Sequence, residues 1–378
     1  MEAEGVTAAQ SRRASVQAVC DRALDGVSPG FDDLALLLAL PDADAAEPLF
    51  AAARELRRRH TGDAVFLYGF VYFSTYCRNR CSFCFYRKGN RESPRYRKTA
   101  DEVVAICRSL AESGVNVLDL TMGEDPQVHD SGQFEALAAL VAAVKQATGL
   151  PVMVSPGVVP PAALAQLSAA GADWYACYQE THTPELFERL RLGQSYAQRA
   201  GTRRAAHRAG LLVEDGILAG VGDTVADRAR SLLAMRAAGD QQVRVMTLVP
   251  QRDTPFAGQP IPDPLGELLV IAAMRLLMPE RLIPASLDVQ GIAGLETRLQ
   301  AGANVVTSIV PPASGLAGVA LAERDIDEGC RTVAEVRPRL AALGLQQGSQ
   351  AEYEAWMRAA LNGYAQRRPA ALGRTVRL

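Results

Sequence analysis

The 378-residue chain predicts an α/β fold, a (β/α)8 barrel with N-terminal and C-terminal helical additions. Three observations lead there. Short β-rich runs alternate with helical segments from residue 65 onward, eight such runs occur, and the alternation fills about 245 residues, the size of one such barrel. A doubly wound sheet is the rival, because periodicity alone does not show whether a sheet closes.

The first dozen residues are predicted to fray. Helical periodicity then appears over 16–24, 31–40 and 45–59. In the third stretch Leu49, Ala52, Ala53 and Leu56 recur at three- and four-residue steps, while Arg54, Arg57, Arg58 and Arg59 gather on the other face and at the end. Residues 1–64 therefore read as an N-terminal helical layer. The barrel occupies 65–310, with strands expected at 65–73, 115–120, 151–155, 173–178, 211–217, 243–249, 282–287 and 304–309. Helices are expected between them, among them 100–113, 132–148, 161–170 and 224–238. Glycine follows several helices, at Gly114, Gly171, Gly210 and Gly302, where it can take the left-handed conformation that closes a helix. After Pro311 and Pro312 a Gly- and Ala-rich stretch leads into a C-terminal helical segment, 311–378, with helices over 333–343 and 352–361.

Composition narrows the function. Lys and Arg number 40 against 42 Asp and Glu, so the surface as a whole is not built to grip nucleic acid or anionic lipid, and neither is an expected partner. Apolar residues at 48% and charged residues at 22% exclude wholesale disorder and a membrane bundle. No run of about eighteen apolar residues suggests a membrane-spanning helix. Residues 1–10 lack the basic and apolar regions of a signal peptide, so the expected compartment is the reducing cytoplasm. There the seven cysteines serve as ligands, catalysts or small buried residues rather than as disulfides.

Cys77, Cys81 and Cys84 follow the first expected strand, in the loop that a barrel places at its catalytic face. Thiolates at this spacing can converge on zinc or on an iron–sulfur cluster. Structural zinc wants a fourth ligand, and His60 and Cys107 fall in other elements. Three thiolates on a four-iron cluster instead leave one iron open to a small molecule. A zinc-binding interaction module with no enzymatic role is the alternative. Cys20, Cys107, Cys177 and Cys330 read as small core residues.

The spacing Cys77-x3-Cys81-x2-Cys84, with the aromatic Phe83, resembles the signature of radical S-adenosylmethionine enzymes. The resemblance implies a [4Fe-4S] cluster whose open iron is chelated by S-adenosylmethionine, and a 5′-deoxyadenosyl radical formed after one-electron reduction. It also implies an electron donor of the flavodoxin or ferredoxin type. The segment containing Met122, Gly123 and Glu124 stands where the family has its Gly-Gly-Glu motif, whose backbone holds the methionine amine; here Met122 replaces the first glycine. Glu180 and Arg199 are similar to residues of the biotin synthase and hydrogenase-maturase branch that contact the cofactor's methionine amine and carboxylate, a pairing that suits an ammonium and a carboxylate. The glycine-rich run 216–224, with Gly220, resembles the motif near the adenine.

Within that branch, Glu214 stands where biotin synthases carry a ligand of a second cluster, so sulfur insertion is not expected, while a maturase-like activity stays open. Runs 66–79, 118–126 and 285–291 most resemble the methylornithine synthase family. That family isomerises L-lysine to (3R)-3-methyl-D-ornithine in pyrrolysine biosynthesis. The resemblance implies that Arg244 and Ser286 hold the lysine carboxylate, and that Asp119 and Asp288 hold its amines. Asp119 and Arg244 stand among apolar neighbours, where an unpaired charge is costly.

Overall fold

The computed structural model describes residues 2–132, 134–318, 320 and 330–367. Eight parallel strands run in the order β6-β5-β4-β3-β2-β1-β8-β7: β1 Ala64–Ser74, β2 Val117–Met122, β3 Val152–Ser155, β4 Trp174–Ala176, β5 Leu212–Ala219, β6 Gln242–Thr247, β7 Pro284–Ser286 and β8 Val305–Ile309. The two ends of that order meet: Val243 N donates to Leu282 O at 3.0 Å and Leu282 N donates to Gln241 O at 3.2 Å. The sheet therefore closes, which decides for the barrel. The seam is bonded only near the start of β6, just ahead of β7.

Alternation along β1 divides the core in two. Val65, Leu67, Val71 and Phe73 face the surrounding helices, and Phe66, Tyr68, Phe70 and Tyr72 fill the barrel interior, because successive strand residues point to opposite faces. Gly69 faces outward, where an added Cβ would sit 2.9 Å from a Leu110 methyl; its absence lets helix Ala100–Ser113 pack close. That helix begins with a capping box between Thr99 and Glu102 and ends on Gly114 in the left-handed conformation.

The N-terminal helices Glu2–Leu24, Phe31–Leu38 and Ala43–Thr61 pack through Val16, Leu34, Leu37, Leu49 and Ala53 into the outer core. The first is continuous from Glu2, in place of the expected frayed start; its Ala, Glu, Gln and Arg residues favour helix once the later turns are anchored. At the far end, helices Val333–Ala342 and Gln350–Arg367 follow β8, and a two-residue strand, β9 Gln346–Gln347, pairs with the start of β1. Residues 321–329 and 368–378 of the expected C-terminal segment lie outside the described residues. Tyr353 and Met357 of the last long helix enter the inner core and plug the barrel's N-terminal mouth, leaving the other mouth for chemistry. Among the described residues no helix is long and apolar enough to cross a membrane.

Candidate active site at the C-terminal mouth of the barrel

A cavity of about 180 Å³ opens at the strand ends, and its wall brings Cys77, Cys81 and Cys84 together with Met122, Gly123, Glu124, Glu180, Arg199, Arg244 and Asp288. The cysteines sit on the long loop that joins β1 to helix Ala100–Ser113. Burial, followed by the nearby Cys81 sulfur, pushes the Cys77 thiol up to about 11, and the same two causes raise Cys84 further. Thiols so crowded suit a ligand that takes all three as thiolates. Gln194 Nε2 and Arg191 Nη1 donate to Cys81 Sγ at 3.1 and 3.5 Å, the kind of hydrogen bond that tunes a sulfur ligand. Three thiols on one loop suit a cluster, which takes one sulfur per iron, whereas structural zinc calls for four protein ligands.

Beside the thiols the backbone forms a cradle. An added Cβ on Gly123 would sit 2.3 Å from Tyr76 O, and one on Gly157 would sit 2.3 Å from Glu124 Cγ. Glu124 Oε1 accepts from Val158 N at 3.0 Å and lies 3.7 Å from Arg199 Nη1. Burial pushes this carboxyl up, but Arg199 and the Val158 N–H outweigh it and hold it below its ordinary value. Glu180 is buried at a φ of +69°, a backbone conformation that side chains rarely adopt and that concentrates at functional sites. Its carboxylate is paired with Arg191 at 2.5 Å, and Arg199 instead donates from Nε to Tyr178 O at 2.6 Å. Burial raises the Glu180 carboxyl against the pull of Arg191.

Deeper in the barrel, inward positions of three strands meet. Arg244 Nε donates to Glu214 Oε1 at 2.7 Å, and Tyr178 Oη donates to Glu214 Oε2 at 3.0 Å. Gly216 pairs with Arg244 across β5 and β6, and its missing side chain leaves room for both the Tyr178 ring and Arg244. The guanidinium carbon lies 5.3 Å from the Tyr178 ring centre and 5.8 Å from that of Phe70, within cation–π range. Arg244 Nη2 has no partner. Asp119 Oδ1 accepts from Thr121 and Ser155 at 3.0 and 2.9 Å, whereas Oδ2 is buried and unpartnered. Burial, then the Glu214 charge, pushes Asp119 up to about 7. An orphan donor and an orphan acceptor thus share one buried layer.

Not all of the expected residues line the cavity: Asp119 lies off its wall, bonded to Thr121 and Ser155, which do line it. Gly220 does not reach the cavity wall: its N–H donates to Asp223 at 2.7 Å in a left-handed turn packed on Pro262, and Leu218 lines the wall instead. Ser286 also lies off the wall, accepting from Asp288 N at 3.3 Å. Asp288 lines it, but its carboxylate is already engaged by Arg331 at 2.8 Å, Tyr72 Oη at 2.9 Å and Ser308 Oγ at 2.8 Å. Of the four cysteines read as core residues, Cys20, Cys107 and Cys177 are buried, with Cys177 on the cavity wall, while Cys330 is exposed.

The sequence reading missed Tyr178, Arg191 and Arg331 as partners within the site. Tyr178 and Arg191 stand beside segments already singled out, whereas nothing local marks Arg331, which meets Asp288 from 43 residues downstream. Glu214 carries a local signal of its own, a carboxylate within a largely apolar strand.

A cysteine-lined cavity at the strand ends of a parallel barrel, with a backbone cradle and buried charges beneath it, fits an enzyme that uses an iron–sulfur cluster and S-adenosylmethionine. Residues 71–234 match the model of the Radical SAM superfamily, which carries those two cofactors. The chain is 45% identical over 336 residues to the 3-methylornithine synthase of Methanosarcina barkeri, covering 89% of this chain and 95% of that one. A crystal structure of methylornithine synthase superposes with a TM-score of 0.85 at 44% identity, covering 89% of this chain and 99% of that chain. The [FeFe] hydrogenase maturase subunit HydE of Thermotoga maritima is more distant, 31% identical over 71% of this chain and 77% of its own. The chain belongs to the radical S-adenosylmethionine superfamily and, within it, to the methylornithine synthase family.

Proposed function

We propose that this chain is a carbon-skeleton mutase that isomerises L-lysine to (3R)-3-methyl-D-ornithine, a step of pyrrolysine biosynthesis. The observation that carries this beyond family membership is a buried pair of open groups: Arg244, on the wall of the cysteine-lined cavity, has Nη2 unpartnered, and Asp119, bonded to Thr121 and Ser155 of that wall, has Oδ2 unpartnered. A zwitterion with extra positive charge is the complement of such a pair.

Cys77, Cys81 and Cys84 hold a [4Fe-4S] cluster. The backbone of Met122, Gly123 and Glu124, with Glu180 and Arg199, holds the methionine end of S-adenosylmethionine. When bound, cluster and cofactor supply a carbon-centred radical able to remove a hydrogen atom from the substrate, once a flavodoxin- or ferredoxin-type donor has delivered one electron. Arg244 binds the lysine carboxylate and stays fixed by Glu214 and two aromatic rings, so no reorganisation is needed on binding. Asp119 receives an ammonium. An ammonium that reaches Asp288 replaces one of its contacts to Arg331, Tyr72 or Ser308, and Ser286 orients that residue through its N–H. Phe70, Tyr72, Phe83, Tyr86, Leu218 and Leu248 line the cavity with carbon and keep water from a reactive intermediate. None of the seven cysteines is joined in a disulfide, which leaves three available as ligands and suits the reducing cytoplasm.

The test is direct. Cluster-loaded, reduced protein with S-adenosylmethionine and lysine should yield methylornithine by mass spectrometry; unchanged lysine while the cofactor is cleaved overturns the assignment. Arg244→Ala should lower lysine conversion at least tenfold with iron content intact. It leaves Glu214 as a buried lone charge, costing about 3–5 kcal/mol, so the double variant E214Q/R244A should regain stability without regaining conversion.

A further inference from the structure

Strand β8 brings a third open polar group to Asp119 and Arg244. Val305 belongs to the inner core and Val306 to the outer core, so alternation turns Thr307 into the barrel interior, where it is fully buried. Its hydroxyl has no partner. The backbone beside it is unusual. Val306 to Ile309 on β8 spans one residue more than Leu67 to Gly69 on β1, and Ser308 takes up that slip at a φ of +65°. Bulges of this kind re-aim side chains beside active sites, and a residue other than glycine rarely adopts such a φ. Two neighbouring hydroxyls thereby face inward: Ser308 Oγ donates to Asp288 Oδ2 at 2.8 Å, and Thr307 Oγ1 stays open.

Strand register sets Thr307 level with the two charges. In an eight-stranded barrel of this kind the register climbs by about one residue per strand, and the four inward side chains of a layer come from alternate strands. Asp119 on β2 pairs with Met153, and Met153 with Trp174, which leads two residues up to Ala176 on β4. Ala176 pairs with Glu214, and Glu214 with Gln242, which leads in the same way to Arg244 on β6. Gln242 meets Leu282 across the seam, so Arg244 stands opposite Pro284, whose partner Val305 leads to Thr307 on β8. Asp119, Ala176, Arg244 and Thr307 therefore form one layer. Three of them carry an open polar atom, and the fourth carries only a methyl group, which leaves room between them. Gln242 is also unpartnered, but it belongs to the layer below, towards the plugged mouth.

Other hydroxyls of the site are already committed as donors: Tyr72 to Asp288, Tyr178 to Glu214, and Thr121 and Ser155 to Asp119. A buried hydroxyl left open costs stability until a ligand completes it. Charge decides which ligand group that is. A carboxylate accepts at about four lone-pair sites, and Arg244 offers it one open nitrogen, whereas an ammonium finds the open oxygen of Asp119. A further donor is what this layer needs. We infer that the Thr307 hydroxyl is a substrate contact, donating to the lysine carboxylate beside Arg244 and so selecting for an amino acid over a plain diamine. The inference rests on the lysine reading above.

The test titrates L-lysine into the cluster-loaded, unreduced full chain with S-adenosylmethionine bound, followed by calorimetry. Thr307→Val keeps the shape of the side chain and removes the hydroxyl. It should weaken lysine binding at least tenfold and leave the affinity for S-adenosylmethionine at the wild-type value. Without lysine, its resistance to urea should equal or exceed that of wild type, because the hydroxyl it removes bonds to nothing in the folded chain. Thr307→Ser, which keeps the donor, should bind lysine within about threefold of wild type. L-Lysinamide, which lacks the carboxylate charge, should lose less than about threefold on Thr307→Val. Unchanged lysine affinity in Thr307→Val overturns the inference. So does equal weakening of lysine and lysinamide, which gives the hydroxyl to an amine. A drop in stability without lysine also overturns it, because the hydroxyl then serves a structural partner such as a buried water. In each of these cases lysine binding by wild type leaves the proposed function standing, whereas a wild-type protein that binds S-adenosylmethionine but no lysine overturns that function.

Discussion

Asp119 has one satisfied oxygen and one orphaned oxygen, and it shares its layer with the Glu214 carboxylate. Its pKa near 7 has a cost that can be read in stability. Between about pH 4 and 7 the unfolded chain releases this proton while the folded chain keeps it, so the unfolded state binds fewer protons and stability falls as pH rises. Holding this carboxyl at about 7 in place of 3.8 corresponds to on the order of 4 kcal/mol. Asp119→Asn should remove that loss: urea unfolding of the metal-free protein across this range should show the variant gaining on wild type as pH rises. The same variant should bind lysine poorly at every pH, while wild-type affinity should weaken below about pH 7, where an ammonium meets a protonated acid. Asp119 and Arg244 were legible in the sequence through the family resemblance, supported by their apolar neighbours. Their surroundings were not: Glu214 meets Arg244 from the neighbouring strand, and Arg331 reaches Asp288 from beyond β8.

At the scale of one element, the loop from residue 75 to 99 is long for a barrel connection, and such loops are held by their own contacts. Ser74 Oγ donates to Asp125 at 2.6 Å, and Arg97 grips the same carboxylate through two nitrogens at 2.6 and 2.8 Å. The loop also leans on the turn after β2, where Gly123 N donates to Ser74 O at 3.0 Å and a Cβ at Gly123 would run into Tyr76 and Cys77. Gly123→Ala should push the two backbones apart and cut bound iron and sulfide well below wild type, measured on anaerobically reconstituted protein. Gly26→Ala is the control. Gly26 has a φ of +86° but nothing within 4 Å of an added Cβ, so that change should cost about 1–2 kcal/mol and leave iron content unchanged. The spacing of the cysteines foretold the ligand loop; the clasp through Asp125 required knowing that β1 and β2 are neighbours.

For the molecule as a whole, the two mouths of the barrel have different tasks. One is sealed by Tyr353, whose hydroxyl meets that of Tyr68 at 2.8 Å, and by Trp356, which stacks on Trp174 at 5.9 Å. Tyr353→Phe leaves the Tyr68 hydroxyl buried without that partner, and stability should drop by about 1–3 kcal/mol. Turnover per folded chain should stay at the wild-type value, since the change lies at the opposite mouth from the cysteines; unfolding curves and product assays on the same sample check both. The sequence by itself determined the alternation of strands and helices, the loop that carries the thiols and the strand-borne charges, because hydrophobic period and ligand spacing are local properties. Only the tertiary structure decided that β6 and β7 meet, that Glu180 pairs with Arg191, that Gly220 turns away from the cavity, and that Glu214 and Arg331 complete the site. Those facts depend on strand register and closure, which bring together residues whose separation along the chain carries no trace of their contact.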